Sequence, residues 1–327
     1  MTTPPPTEQA QLPPPARASR RWLVLAVAVL VVLLLLRSAH LAADPPTWIS
    51  GSGDLYTDEG WWATNAAAQY FTGDWYQPGG YNPAVAAPVM PMLENAAFRL
   101  YGFGLLTARR VSLACALTAM LLLCLLIARR EGRRAAWYCA LLLAGSYLVF
   151  TFSRLAFLEM PLAFGICLSL WCAARAADSK DPRAGYLQAA MAGAALLFAV
   201  LTKTTALFAL PVVLWMLWQS RSSSLRARWV RVGLFLAVLA LLGGAYAGHV
   251  MRHYPDDARL YLAHNLANKV PSALRQPAAA VDGRAPAVAP VNNTPLLIAA
   301  WGVLALGLAL LAVPALRRSR LYAVALL

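Results

Sequence analysis

Acidic residues are scarce in this chain: 14 Asp and Glu stand against 28 Lys and Arg in 327 residues, and charge of either sign makes up only 13%. A composition 60% hydrophobic and so poor in charge argues against an ordinary water-soluble globule, in which about a quarter of the residues are charged. Cysteine is nearly as sparse. The five, Cys115, Cys124, Cys139, Cys167 and Cys172, all fall within apolar runs and are odd in number. That argues against a disulfide framework and for buried thiols packing as small hydrophobes.

Familiar nucleotide signals are missing too. There is no Gly-Lys-Ser/Thr phosphate loop, and Gly51-Ser52-Gly53 is not followed by the last glycine of a dinucleotide fingerprint. No soluble nucleotide-sugar domain fits between the apolar runs, so the donor of any transferred group is expected to be lipid-borne.

What fills the chain is membrane. Apolar windows close to the length that crosses about 30 Å of hydrocarbon recur along it. The expected spans are 22–41, 111–128, 135–152, 155–174, 185–201, 204–218, 229–250 and 296–316, with a ninth beginning near Leu321. The chain stops at Leu327 inside that run, so it reads as part of a longer sequence. The fold class expected is all-α and polytopic, with about eight to nine transmembrane helices.

The formal charge of +14 suggests nucleic acid, but the basic residues alternate from loop to loop and form no single patch, so no nucleic-acid partner is expected. Clusters at Arg17, Arg20 and Arg21, at Arg129 to Arg134, at Arg175 to Arg183, at Arg221 to Arg231 and at Arg317 to Arg320 mark every second loop as cytoplasmic. Residues 1–21 then form a cytoplasmic tail, disordered by its Pro, Thr and Gln content. Residues 20–43 also fit a signal peptide, but the later spans favour an uncleaved first helix.

The connections 42–110, 153–159, 202–203 and 251–295 face outward and hold ten of the 14 acids. The first of these is rich in Trp and Tyr, which suits a membrane interface. Within it, Glu59 to Phe71 reads as a short helix and Val89 to Tyr101 as an amphipathic one along the bilayer. Residues 111–250 hold six spans, 251–295 a second outer loop, and 296–327 a last span and the start of another.

Topology thus gathers Asp58, Glu59, Arg154, Glu159 and Lys203 at one membrane face. Carboxylates beside hydrocarbon are functional candidates by default. Acids with cations among aromatics suit a lipid-linked phosphate donor and a polar acceptor. Each residue also has a plain alternative: Lys203 as a snorkelling helix end, Arg154 and Glu159 as a mutual salt bridge, Asp58 and Glu59 as a solvated loop. His249 and His253 are four apart; they read as interfacial packing, with metal ligation as the sharper alternative. Gly244 and Gly248 read as a close helix contact.

These residues resemble the C-type (GT-C) integral-membrane glycosyltransferases that use polyprenyl-phosphate-linked sugars, such as lipid A aminoarabinose transferases and protein O-mannosyltransferases. The resemblance covers roughly Ala42 to Pro211. It is carried by Asp58-Glu59 with Ala63 and Ala66, Asn82-Pro83, Arg99-Leu100-Tyr101-Gly102, Ala108-Arg109, Ser153-Arg154 through Glu159, and Leu201-Thr202-Lys203. The chain departs from the family at Gly60-Trp61-Trp62, Asn82 and Thr204, which bears on the substrate more than on the reaction.

The resemblance implies a glycosyltransferase of the cell membrane, N-terminus cytoplasmic. It would move a hexosyl or pentosyl group from a polyprenyl-phosphate carrier to a lipid, glycan or protein acceptor on the outer face. Asp58 would be the general base, Arg154 and Lys203 would bind the donor phosphate, and Glu59 and Glu159 would orient sugar or cations. No cofactor is demanded, and a divalent metal stays open. A transporter or flippase of lipid-linked sugars is the rival reading, although the expected spans carry few charges at their centres.

Overall fold

The computed structural model describes residues 20–43, 57–76, 82–219 and 224–269. Among them there is no strand, only helix. The helices are α1 (Arg20–Ser38), α2 (Thr57–Phe71), α3 (Val89–Tyr101), α4 (Leu105–Arg130), α5 (Arg133–Gly145), α6 (Tyr147–Arg154), α7 (Glu159–Asp178), α8 (Pro182–Thr202), α9 (Leu210–Trp218), α10 (Leu225–His253) and α11 (Pro255–Lys269). Short 3-10 turns at Leu41–Ala43, Pro83–Val85 and Thr204–Ala209 join them. The expected tail before Arg20, the span 296–316, the one near Leu321 and most of the loop 251–295 lie outside the described residues.

Four helices, α4, α7, α8 and α10, are long and apolar enough to cross a membrane, and α5 with α6 makes a fifth if the bent pair is one span. The stretches Val27–Ser38 and Thr204–Trp218 are apolar but shorter.

The expected span 135–152 is broken: α5 and α6 meet at 62°. Ser146 starts α6 as its N-cap, accepting a hydrogen bond from the Val149 amide. A break at membrane depth frees carbonyls that hydrocarbon cannot satisfy. Arg37, fully buried on α1, supplies the donors: its Nη2 reaches Leu143 O at 2.7 Å and Ala144 O at 2.8 Å.

Arg154 at the end of α6 returns the favour. Its Nη1 donates to Leu36 O and Arg37 O, both at 2.8 Å, and its Nη2 to His40 O at 3.0 Å, closing the C-terminus of α1. Both guanidinium groups lie on the Phe150 ring, 5.6 Å and 5.1 Å from its centroid. Helix α1 therefore caps the end of α5, and α6 caps the end of α1.

The expected span 155–174 is displaced, with α7 running Glu159–Asp178. Residues Leu155, Ala156, Phe157 and Leu158 form a buried non-helical turn instead. Pro161 in the first turn of α7 is compatible with a helix that starts this late.

Glycine sets the spacing of the three-helix centre. A Cβ on Gly165 of α7 would sit 2.9 Å from Ala199 Cβ of α8, and one on Gly193 of α8 would sit 2.6 Å from Phe235 O of α10. The apolar core around Leu170, Ala192, Leu196, Val213 and Phe235 fills the space between. Gly244 and Gly248 do not behave as expected from their spacing: a Cβ on either meets nothing within 4 Å, so no close helix contact forms there among the described residues.

Replacing Gly193 by Ala should force α8 and α10 apart, because the obstacle is backbone. Overpacking of this kind costs about 1–3 kcal/mol. Thermal unfolding in detergent should show a lower Tm for Gly193→Ala and no loss, or a small gain, for Gly244→Ala.

Candidate functional site

Five of the sequence-derived residues come from four separate segments, and the structure brings four of their side chains to one end of the bundle. The Asp58 backbone opens α2 just ahead of Glu59, but its side chain lies outside the described residues.

Glu59 is only 4% exposed and fully engaged. Arg109, five residues into α4, grips it with two bonds, Nε to Oε1 at 2.8 Å and Nη2 to Oε2 at 2.7 Å. The Ala156 amide donates to Oε1 at 2.7 Å. Arg109 Nη1 also bonds Leu41 O, in the turn after α1. One ion pair therefore ties the start of α2, the start of α4, the α6–α7 turn and the end of α1.

Arg154 sits at the start of that same turn and Glu159 at its end. The ion pair that Glu159 forms among the described residues is with Lys203. Glu159 Oε1 accepts from Lys203 Nζ at 2.8 Å, and the two side chains are 33% and 41% exposed. Lys203 lies in the strand-like residue between α8 and the next 3-10 turn, and its own amide closes α8 by donating to Ala199 O.

A chain of contacts therefore runs from Arg109 through Glu59 and Ala156 to Glu159 and Lys203. Buried at one end and wet at the other, it offers a half-exposed cation beside a carboxylate. Such an arrangement suits an anionic ligand approaching from the open side. Arg154 is 4% exposed and spends at least three donor bonds on the end of α1, so it contributes structure and positive field.

A second cluster stands beside the first. Asn65 of α2 donates to Trp75 O at 2.6 Å and to Asn82 Oδ1 at 3.0 Å, while its Oδ1 accepts from the Ala84 amide. Asn82 Nδ2 in turn donates to Asp257 Oδ1 of α11 at 2.9 Å. Tyr246 of α10 donates its hydroxyl to Ala84 O and Val85 O. Asn82, one of the family departures, can donate and accept at once, and here it does both. The Tyr76 and Tyr254 rings stack at 3.7 Å, and burial, with Tyr254 and Asp257 nearby, pushes the Tyr76 hydroxyl up to about 12.

His249 and His253 do share a face, with ring centroids 4.7 Å apart. No group of three or more metal-capable side chains gathers among the described residues.

Two residues of the site were not among the candidates read from the sequence. Arg109 figures in the sequence only with Ala108, as part of the resemblance and at the edge of the outer segment 42–110. Glu94 of α3 is fully buried, four residues from Met90 and from Phe98 on the apolar face of its helix.

Breaking a buried, doubly bonded pair costs about 3–5 kcal/mol, whereas a half-exposed pair contributes about 0–1 kcal/mol. Arg109→Ala should therefore destabilise the protein severely, and Lys203→Ala should barely do so. Melting curves of the two variants in detergent check this order.

Three comparisons bear on this geometry. Residues 85–244 match the family described as dolichyl-phosphate-mannose-protein mannosyltransferase. No curated protein matches the chain. Among solved structures, the chain is similar to ArnT from Cupriavidus metallidurans bound to undecaprenyl phosphate, with a TM-score of 0.60 and 20% sequence identity. That match covers 94% of this chain and 53% of the ArnT chain, so this chain spans about half the length of its structural relative. This chain is a multi-pass membrane protein whose central helices match the mannosyltransferase family and whose fold is similar to that of ArnT.

Proposed function

We propose that this protein is a membrane glycosyltransferase that moves a sugar from a polyprenyl-phosphate carrier to an acceptor on the outer face of the cell membrane. The N-terminus lies in the cytoplasm on this reading. The observation that carries it is the Glu159–Lys203 pair, half-exposed at the same end of the bundle as the buried Glu59–Arg109 pair. The fold likeness to an ArnT bound to undecaprenyl phosphate supports it.

In the proposed reaction an acceptor hydroxyl or amine attacks the anomeric carbon. A C–O or C–N bond forms there, and the bond from that carbon to the carrier phosphate oxygen breaks, its electron pair leaving with the phosphate. Asp58, at the start of α2, accepts the proton of the attacking group. Lys203 stabilises the departing lipid phosphate, releasing Glu159 to a sugar hydroxyl or holding it as a bridge. A phosphate leaves readily, so a strong general acid is not required.

Glu59 serves by position. With Arg109 and the Ala156 amide on its two oxygens, it holds α2 against the α6–α7 turn and so fixes where Asp58 begins. Arg154 adds positive field while closing α1. A hexosyl and a pentosyl donor are equally compatible with these groups, and so are lipid, glycan and protein acceptors.

Positioned proton transfer contributes about 10²- to 10⁴-fold, so Asp58→Asn should lower sugar transfer by that order while the protein stays folded and inserted. Full transfer by Asp58→Asn would remove Asp58 from the mechanism. Lys203→Ala should weaken binding of undecaprenyl phosphate by the purified protein; unchanged binding would remove the phosphate role from Lys203.

A further inference from the structure

Helix α3 has an apolar stripe at a spacing of four, Met90, Glu94 and Phe98, and all three are buried to 2% exposure or less. The middle place of that stripe holds a carboxyl group. Both oxygens of Glu94 are buried, and neither has a hydrogen-bond partner among the described residues. Its neighbour Asn95 shows what the rest of the helix does there, donating to Ala66 O of α2 and accepting from Arg99 Nε.

We propose that Glu94 is a positioning residue for the candidate site, an uncharged carboxyl that seats α3 against the Glu59 end of α2 and, on ionising, drives that end away. Among the described residues, the elements packed against α3 bring the following charged groups. Helix α2 brings Glu59, whose charge Glu94 feels, and Tyr70 farther along. Helix α4 brings Arg109, already paired with Glu59, and the exposed Arg110. The end of α8 brings Lys203, paired with Glu159, and the Pro83–Val85 turn brings no charge. On α3 itself Arg99 is bonded to Asn95, and Tyr101 is exposed.

Among the described residues no cation meets Glu94, so its anion would be buried without compensation and would face a like charge. Burial first, and the Glu59 charge second, hold its carboxyl well above the usual carboxylate range. The sign of the linkage follows. Stability from the uncharged form is fully present below the unfolded-state value, is lost progressively as pH rises, and is gone once pH passes the raised folded-state value. Because Glu59 is bonded to the Ala156 amide, the strain of that loss falls on the α6–α7 turn, between Arg154 and Glu159.

The proposal rests on the reading of this cluster as the transfer site only for its bearing on activity, so its test uses no sugar. Hydrogen exchange of the segment 155–158 is measured on the purified protein at pH 6 and pH 9, for the unmodified chain, Glu94→Gln and Glu94→Leu. Comparing chains at one pH cancels the intrinsic effect of hydroxide. The exchange rate of the unmodified chain relative to either variant should rise by about tenfold or more from pH 6 to pH 9 in that segment, and stay level in α10. Glu94→Leu serves if Glu94→Gln fails to fold. A ratio that does not change with pH, or that rises equally in α10, overturns the assignment.

Discussion

The bonded pair of Arg109 and Glu59 is the constraint from which the rest of the site takes its shape. Two charges taken out of water are tolerable only if each finds its partner and further hydrogen bonds offset the cost. Here that support reaches across the fold: the Leu41 carbonyl accepts from Arg109 and the Ala156 amide donates to Glu59. Satisfying one buried pair therefore brings the end of the first helix, the outer loop helix and a distant inter-helix turn into a single arrangement. The exposed pair of Glu159 and Lys203 hangs from that turn, which is why its position is inherited from groups it never touches.

Much of this was legible in the sequence, and the parts that were not have physical reasons. Hydropathy and the alternation of arginine clusters give the helical class and the grouping of acids at one face, because both reflect transfer energies that act residue by residue. The bounds of α3, Val89–Tyr101, are those read from its amphipathic pattern. Pairing is different. In the sequence Arg154 reads as an outer-turn cation suited to a phosphate, and in the structure at least three of its donor bonds go to the carbonyls that end α1. Nothing local to Arg154 says that a helix more than a hundred residues earlier stops beside it.

The break between α5 and α6 escaped for a similar reason. Gly145-Ser146 is a weak signal within an apolar run, and hydropathy counts the run as one span. What makes the break tolerable is a donor from elsewhere, Arg37, and a window of sequence cannot see it. The displacement of α7 by four residues has the same origin: the turn 155–158 is non-helical where Glu59 claims the Ala156 amide.

The bonds by which Arg37 caps α5 and Arg154 caps α1 have a consequence for biogenesis. A nascent chain emerging from the translocon presents Arg37 more than a hundred residues before Leu143, Ala144 and Ser153, which will satisfy it. Until they arrive, that guanidinium has to stay at the headgroup level, and the first helix has to ride shallow in the lipid. The acceptors for that guanidinium thus arrive late, with synthesis of the bent hairpin.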